Sequence, residues 1–169
     1  RQPNQGKHAA HNAALQVARG ELFITLDSDD SLLPDALEKL NLRLQEKYRE
    51  IEKNETLWEE QQTADASLLL VGFGLSARIC RSAVSALRRT GVAAGLFRPI
   101  TLWPFPSAEL AKAARGKKRI LVVEMNAGQM VEDVRLAVGS AVPVDFYGTL
   151  GGITPEVEQI VERIKANVR

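Results

Sequence analysis

Residues 67–73 read Ser-Leu-Leu-Leu-Val-Gly-Phe, and the turn Gly72-Phe73-Gly74-Leu75-Ser76-Ala77 leads straight into a segment with helical spacing. The apolar run does not alternate with polar residues, which is typical of a strand buried on both faces. A second such run is Ile120–Glu124. Because apolar strands and amphipathic helices alternate from here on, the sequence predicts a three-layer α/β/α fold with a mostly parallel sheet.

The predicted elements of this domain follow one another closely over residues 66–169. We expect strands at 67–73, 93–97, 120–124 and 142–147, and helices at 76–90, 107–115, 129–138 and 155–167. Gly91 suits the end of the first helix, because glycine readily adopts the left-handed conformation found there. Thr154 and Pro155 suit the N-cap and the first residue of the last helix.

Two further segments precede this domain. Within residues 35–65, apolar residues recur at spacings of three, four and seven among many charged residues, from Leu37 to Trp58. This pattern predicts a long amphipathic helix that connects the two parts of the chain and extends to about Gln62, with a break near Asn54. Residues 1–34 predict a small α–β segment with an acidic loop.

The composition excludes several classes of protein. The 169 residues are 45% hydrophobic and 25% charged, with a net charge of +1, so we expect no nucleic-acid or membrane partner. The single cysteine, Cys80, cannot form an internal disulfide or hold an iron–sulfur cluster alone, and it suits a reducing cytoplasm. Since the chain begins with Arg1 and its first methionine is Met125, we expect part of a longer reading frame or a trimmed chain.

The acidic loop Asp27-Ser28-Asp29 directly follows a predicted strand. Alternate side chains of an extended segment point the same way, so two carboxylates there can bind a divalent metal ion that neutralises a diphosphate. The stretch from Asn4 through Asp27-Ser28-Asp29-Asp30 to Pro34 resembles the central segment of family 2 glycosyltransferases of the GT-A fold. The resemblance implies a metal–nucleotide-sugar site at Asp27 and Asp29, and the alternative is a solvated acidic turn.

The turn from Gly72 to Ala77 fits the G-x-G-x-x-A pattern of dinucleotide-binding proteins, in which a helix N-terminus attracts a phosphate. That fingerprint also requires an acidic residue at the end of the second strand, where this chain has Phe97-Arg98-Pro99. The sequence therefore favours a tight strand-to-helix turn with Ser76 as N-cap. A free nucleotide-binding module remains a third interpretation beside the two family resemblances.

From about Leu37 to Lys165 the chain resembles the alpha subunit of 2-oxoacid:ferredoxin oxidoreductases, of the branched-chain (2-oxoisovalerate) type. The resemblance depends on five runs: LEKLNLRLQEKY from Leu37, SARIC from Ser76, GLFRPITLWPFP from Gly95, LVVEMNAGQMVEDVRLAV from Leu121, and FYG with the following Gly151-Gly152. Leu75 and Thr149-Leu150 depart from the family, where threonine and arginine–methionine are expected. Leu75 therefore puts a hydroxyl contact at the glycine turn in doubt, and Thr149-Leu150 puts a contact with a partner or an anion in doubt.

The resemblance implies a transketolase carboxy-terminal-like domain. The parent reaction is the oxidative decarboxylation of a 2-oxoacid to acyl-CoA with ferredoxin as electron acceptor, and it uses thiamine diphosphate, magnesium and iron–sulfur clusters. We expect those cofactors to lie in other domains and subunits and none of them to be bound by this chain. The domain would then have a structural or interface role, and the isolated chain would be inactive. The expected partners are the other subunits, and ferredoxin indirectly. The glycosyltransferase-like front suggests a rearranged or misassembled reading frame, or a chimera joined between Pro34 and Leu37.

Open α/β sheets place their sites on the loops at the carboxyl ends of the strands. The interface or anion-binding candidates on these loops are Gly74, Ser76, Arg98, Pro99, Glu124, Asn126, Gly128 and Gln129. Alternatively, the 126–129 loop only caps the following helix, and Glu124 is a structural carboxylate whose hydrogen bonds are all made within the domain. Trp103 and Phe105 suit either an exposed docking surface or the lid of the core.

Overall fold

The structure is a computed structural model, and it describes residues 35–166. By contacts the chain divides into two compact units, Arg1–Gln45 and Glu46–Arg169. Helix α1, Ala36–Glu55, begins the described part and buries none of its residues. The apolar residues that the sequence places along it, such as Leu40 and Tyr48, are exposed.

A five-stranded mixed sheet forms the centre of the larger unit. Its strands are β1 (Trp58–Gln61), β2 (Leu68–Gly72), β3 (Ala94–Pro99), β4 (Arg119–Glu124) and β5 (Val144–Gly148). They lie in the order β1-β3-β2-β4-β5. Strand β1 is antiparallel to β3, and the other neighbours are parallel. The predicted α/β class with a mostly parallel sheet is confirmed.

Four helices cover the sheet: α2 (Gly74–Arg89), α3 (Ser107–Ala114), α4 (Met130–Val138) and α5 (Val157–Ala166). Alternate residues of one strand point to opposite faces, and β2 shows the result. Leu68 and Leu70 join a core cluster with residues of α2 and α5, whereas Leu69 and Val71 join a second cluster with residues of α3 and α4. The continuous apolar strands therefore fill two cores, one on each side of the sheet.

The predicted connecting helix is shorter than expected. It ends at Glu55, close to the predicted break near Asn54, and Trp58–Gln61 forms the edge strand β1, so the prediction of helix beyond Glu55 to about Gln62 is wrong. Glu59 lies opposite Arg98 in the antiparallel register, and their side chains form an ion pair of 3.0 Å. The partner strand that decides this conformation lies some forty positions away along the chain, where helical spacing of apolar residues gives no signal of it.

Two predicted helix starts also differ. Helix α2 begins at Gly74 with Phe73 at the N-cap, and Ser76 is buried in its first turn; Ser76 is therefore not the N-cap. Helix α5 begins at Val157, two residues after the predicted start at Pro155. Ser76 is the first buried residue of α2, whereas Gly74 and Leu75 before it are exposed, so neither helix begins directly after the predicted capping side chain.

Candidate functional site

The loops at the carboxyl edge of the sheet surround an open cleft of about 380 Å³. Its walls come from three segments: residues 73–76 at the start of α2, Leu102 after β3, and residues 123–133 from β4 into α4. The cleft therefore lies above the adjacent strands β2 and β4, at the sheet edge where the sequence predicted a site. The structure brings five of the candidate residues together there: Gly74, Ser76, Glu124, Asn126 and Gln129.

Glu124 ends β4 and is 5% exposed. Its carboxylate accepts hydrogen bonds from the backbone N–H groups of Met130 at 3.0 Å and Val131 at 2.9 Å, and longer ones from the N–H of Gln129. These are the first N–H groups of α4, which have no partner within the helix. The side chain of Glu124 therefore fills the anion-binding position that a helix N-terminus offers.

The 126–129 loop is organised around the same carboxylate. The Asn126 amide donates to Glu124 Oε2 at 3.0 Å, and the N–H of Gly128 donates to Asn126 Oδ1 at 2.7 Å. Gly128 has φ +107°, and a Cβ there would lie 3.2 Å from Val131 Cγ1. These contacts give the loop a fixed shape, in which Asn126 and Gln129 line the cleft.

The glycine turn before α2 has a packing role. A Cβ on Gly72 would lie 3.0 Å from the backbone N of Ala77, so the strand and the helix approach too closely for a side chain. Gly74 adopts φ +56°, the left-handed region that glycine tolerates best. Both glycines are therefore explained by the turn itself, without a phosphate.

Arg98 and Pro99 lie away from the cleft. Arg98 pairs with Glu59 of β1, and the same Glu59 oxygen lies 3.4 Å from Arg81 of α2. Pro99 is opposite Trp58 in the β1–β3 register. The structure therefore places these two candidates at the β1 edge of the sheet and separates them from the other candidates.

The carboxyl-edge loops and the first turn of α2 carry a band of exposed apolar side chains, of which the sequence analysis considered only Trp103 as a docking surface. Each loop after a parallel strand carries at least one large exposed apolar residue: Phe73, Leu75, Ile100, Leu102, Trp103, Met125, Leu150 and Ile153. Ile153 and Leu150 are more than 60% exposed. Their position directly after predicted strands was the available signal. We call these eight residues the apolar edge.

Trp103 and Phe105 have separate roles. Trp103 is 59% exposed, and its ring meets that of Tyr48 edge to face at 5.8 Å between centroids. Phe105 instead packs against the core cluster beneath α3 and α4. The docking-surface interpretation therefore suits Trp103, and the core-lid interpretation suits Phe105.

The opposite edge of the sheet is charged. A hollow of about 300 Å³ at the amino ends of the strands is lined by Lys118, Arg119, Asp145 and Arg163 among others. Arg119 lies 3.2 Å from Asp145, and Arg163 donates to the carbonyl oxygen of Phe146 at 3.1 Å. This hollow therefore combines charged side chains with apolar lining residues such as Leu68, Leu121 and Ile164.

Metal and membrane features can be assessed for residues 35–166 alone. Within that range no group of three His, Cys, Asp or Glu side chains is placed to hold a metal ion. No helix there is long and apolar enough to cross a membrane. Asp27 and Asp29, the metal ligands of the glycosyltransferase interpretation, lie outside the described residues.

Comparison with known proteins gives two family matches along the chain. Residues 66–160 match the model of pyruvate:ferredoxin oxidoreductase core domain II, and residues 1–58 match that of glycosyl transferase family 2. The first match extends over more than half of the chain and contains the cleft and every described site candidate. The second ends at the start of β1.

Curated relatives agree with the first match. The chain is 44% identical over 131 residues to ketoisovalerate oxidoreductase subunit VorB of Methanothermobacter thermautotrophicus, which is 78% of this chain and 37% of that subunit. It is 32% identical over 135 residues to 2-oxoglutarate synthase subunit KorA of Methanothermobacter marburgensis, 80% of this chain and 36% of the relative. The chain therefore spans little more than a third of the length of these relatives.

Two solved structures share the fold. The 2-oxoglutarate:ferredoxin oxidoreductase of Magnetococcus marinus superposes with a TM-score of 0.71 at 22% identity, over 82% of this chain and 24% of that one. A split-gene transketolase superposes with a TM-score of 0.51 at 17% identity, over 59% of this chain and 37% of that one. With the match over residues 66–160, these findings show that the chain belongs to the 2-oxoacid:ferredoxin oxidoreductase family, through its core domain II.

Proposed function

We propose that this chain acts as an interface domain in the alpha subunit of a thiamine-diphosphate-dependent 2-oxoacid:ferredoxin oxidoreductase. The single observation that carries the proposal is the apolar edge, because several large apolar side chains exposed at one edge of a sheet are typical of an interaction site. The relatives indicate what would cover the apolar edge, because almost two thirds of their length has no counterpart in this chain. The apolar edge would then pack against the thiamine-binding part of the enzyme and its other subunits, with ferredoxin reached indirectly.

The cleft itself does not fit thiamine diphosphate. Its lining has no lysine, arginine or histidine to pair with a diphosphate, and Glu124 already fills the N-terminus of α4. Within residues 35–166 no group of three metal-ligating side chains is placed to bind a bridging magnesium ion. Thiamine diphosphate supplies the carbanion chemistry of such enzymes, so it would be bound elsewhere in the complex, together with magnesium and the iron–sulfur clusters. The reducing cytoplasm where such complexes would work suits the buried thiol of Cys80.

The test is reconstitution with the remaining subunits of the oxidoreductase from the organism that encodes this chain. We expect the chain to bind them, and Leu75→Ser on the apolar edge to weaken binding at least fivefold. Lys118→Glu at the charged amino edge serves as a matched control and should bind as the parent chain does. A chain that fails to bind any of these subunits contradicts the proposal.

Activity gives a second test of the role. The isolated chain should show no turnover with any 2-oxoacid and no tight binding of thiamine diphosphate, because this domain has only an interface role. Decarboxylation by the chain alone, measured as release of labelled carbon dioxide, would contradict the assignment.

A second candidate function rests on the match of residues 1–58 to glycosyl transferase family 2. In that case Asp27 and Asp29 would hold a divalent metal ion on a nucleotide-sugar diphosphate. Calorimetric titration of the chain with a nucleotide sugar in the presence of manganese tests this candidate. Saturable binding that is lost in Asp27→Asn would support it, and identical heats with and without the substitution would exclude it.

A further inference from the structure

We propose that the carboxyl-edge cleft receives a lysine or arginine side chain from the polypeptide that supplies the part of the relatives which this chain lacks. The inference rests on the proposed interface role and adds the chemistry of one contact. It depends on three features of the cleft: the charge of its lining, the state of its two carboxylates, and the apolar character of its walls.

The charge of the lining is one-sided. The described residues that line the cleft include Glu124 and Asp133 but no lysine, arginine or histidine. Among the described acids of this unit, Asp65 pairs with Arg88, and Glu132 pairs with Arg135. Asp133 has no ion pair with any residue in the range 35–166. A positive group on the partner would complement this lining, and an anion would be repelled.

The two carboxylates differ in what they can still bind. Glu124 is buried, and both of its oxygens accept backbone N–H groups at the start of α4, so its charge is largely offset by the helix N-terminus. Asp133 lies in the first turn of α4, but its side chain is exposed and accepts none of the N–H groups that Glu124 accepts. The free acceptor of the cleft is therefore Asp133. A single free carboxylate is too few ligands for a divalent cation, which takes six or more oxygens or waters, but it suits one ammonium or guanidinium group.

The walls suit the stem of a long basic side chain. Phe73, Leu75, Leu102 and Met125 stand around the cleft and are each 37–46% exposed. Lysine and arginine bury their methylene groups against such apolar surface while the charged head reaches a polar partner. Asn126 and Gln129 also line the cleft, and their side-chain carbonyl oxygens can accept further hydrogen bonds from the head. A purely apolar anchor would leave this polar end of the cleft unused.

The position of the cleft favours a side chain over a free small molecule. It is open, and it lies within the apolar edge, where the partner surface is expected to pack. A basic side chain at the centre of such an interface becomes desolvated, and charge-assisted hydrogen bonds are then about twice as strong as neutral ones. The cleft would thereby fix the orientation of the domain on its partner.

The first experiment compares binding of the full chain and its variants to the remaining oxidoreductase subunits by biolayer interferometry. We expect Asp133→Asn to raise Kd about tenfold and Asp133→Lys about a hundredfold, the range seen for truncated and reversed charges at interfaces. Glu132→Gln removes the same charge one residue away, outside the lining, and should leave Kd unchanged. If the parent chain binds and all three variants bind equally well, the basic contact is wrong while the interface role stands.

The second experiment uses n-butylguanidinium as a probe and needs no partner. Titration into the isotope-labelled chain, followed by NMR, should give saturable shifts at the amides of Gly74 and Asn126, and Asp133→Asn should weaken this binding at least threefold. Equal shifts in the variant would overturn the proposal. If the probe saturates the cleft but no subunit binds the chain, the interface role fails and the preference of the cleft for a basic group remains.

A third experiment tests whether the cleft is instead filled by a second copy of this chain. Sedimentation equilibrium of the chain alone should show a monomer, because the occupant proposed here belongs to another part of the enzyme. A dimer that Asp133→Lys dissociates would show that a second copy fills the cleft, which would overturn the proposed partner.

Discussion

The carboxylate of Glu124 accepts a hydrogen bond of 3.0 Å from the backbone N–H of Met130, the first residue of α4. Strand β4 therefore ends in the group that satisfies the start of the next helix. Because the cleft wall consists of this strand end, the 126–129 loop and the first turns of α4, one buried side chain determines the shape of the candidate site.

Replacing Glu124 tests this relationship. In Glu124→Gln, an amide NH2 group would replace one of the two oxygens and face the N–H of either Met130 or Val131, so a donor would meet a donor and at least one hydrogen bond would be lost. We expect the free energy of unfolding to fall by about 2–3 kcal/mol, the usual cost of leaving buried polar groups unpaired. Urea denaturation followed by circular dichroism measures it.

Asp133→Asn is the matched control for this prediction. It removes a carboxylate from the first turn of the same helix at an exposed position, where such a change costs less than about 1 kcal/mol. A loss of the same size in both variants would mean that negative charge near the helix start, and not the buried hydrogen bonds of Glu124, accounts for the effect of Glu124.

The sequence predicts the strands and helices of this domain well, because their signals are local. Uninterrupted apolar runs such as Leu68–Gly72 and Arg119–Glu124 carry the information that a strand is buried on both faces. Strand β1 escaped prediction because its pairing with β3 is a long-range event. The short sequence Trp58–Gln61 carries no alternation or apolar run that would reveal it.

The candidate site could be predicted only in part. The rule that sites lie at the carboxyl ends of parallel strands predicts that Ser76, Glu124 and Asn126 lie near one another, and the structure places all three on the cleft. Arg98 lies elsewhere, because it is paired with Glu59 at the antiparallel β1 edge. Asp133 was missed because it lies within a helix and not on a loop, and only the three-dimensional course of α4 carries it to the cleft.

A second prediction concerns the pKa of Asp65. The Arg88 guanidinium donates to both carboxylate oxygens, at 2.9 and 2.7 Å, and these hydrogen bonds hold the pKa of Asp65 below its ordinary value of 3.8. As the pH falls below 3.8, the unfolded chain takes up the proton first. The contribution of Asp65 to stability is therefore full above that pH and is lost as the pH falls through the lower, folded-state pKa.

Carbon-detected NMR titration of the Asp65 carboxyl group measures this pKa. In Arg88→Lys the paired donors of the guanidinium are replaced by a single ammonium group, so the pKa of Asp65 should return toward 3.8. Arg81→Lys, on the outer side of the same helix and paired with Glu59, should leave it unchanged. An Asp65 pKa that is the same with and without Arg88 would contradict the role of the hydrogen bonds.

A third prediction concerns the thiol of Cys80. The residue is fully buried in the cluster between α2 and the sheet, and burial raises the pKa of the thiol to about 12. Since the thiolate is the reactive species, Ellman's reagent at pH 8 should label the folded chain only as fast as the chain opens. Labelling should accelerate across the urea unfolding transition.

The matched control moves the thiol to the surface of the same helix. Ser85 is exposed on α2, so Ser85→Cys in a Cys80→Ala background should react within seconds in native buffer. Rapid stoichiometric labelling of Cys80 in the folded parent chain would show that the core on this side of the sheet is open.

The last prediction couples Gly95 to Arg88. A Cβ on Gly95 would lie 2.7 Å from the carbonyl oxygen of Gln62, and that same oxygen accepts a hydrogen bond of 2.8 Å from Arg88. Gly95→Ala should therefore displace the segment at Gln62 and weaken the Arg88 contacts. The free energy of unfolding should fall by about 1–3 kcal/mol, as for other overpacked positions. In an Arg88→Ala background the hydrogen bond to Gln62 is already absent, so Gly95→Ala should lower the free energy of unfolding by less. A double-mutant cycle measured by urea denaturation should thus give a combined loss smaller than the sum of the single losses by about 0.5 kcal/mol or more. Strict additivity would show that Gly95 and Arg88 act on this segment independently.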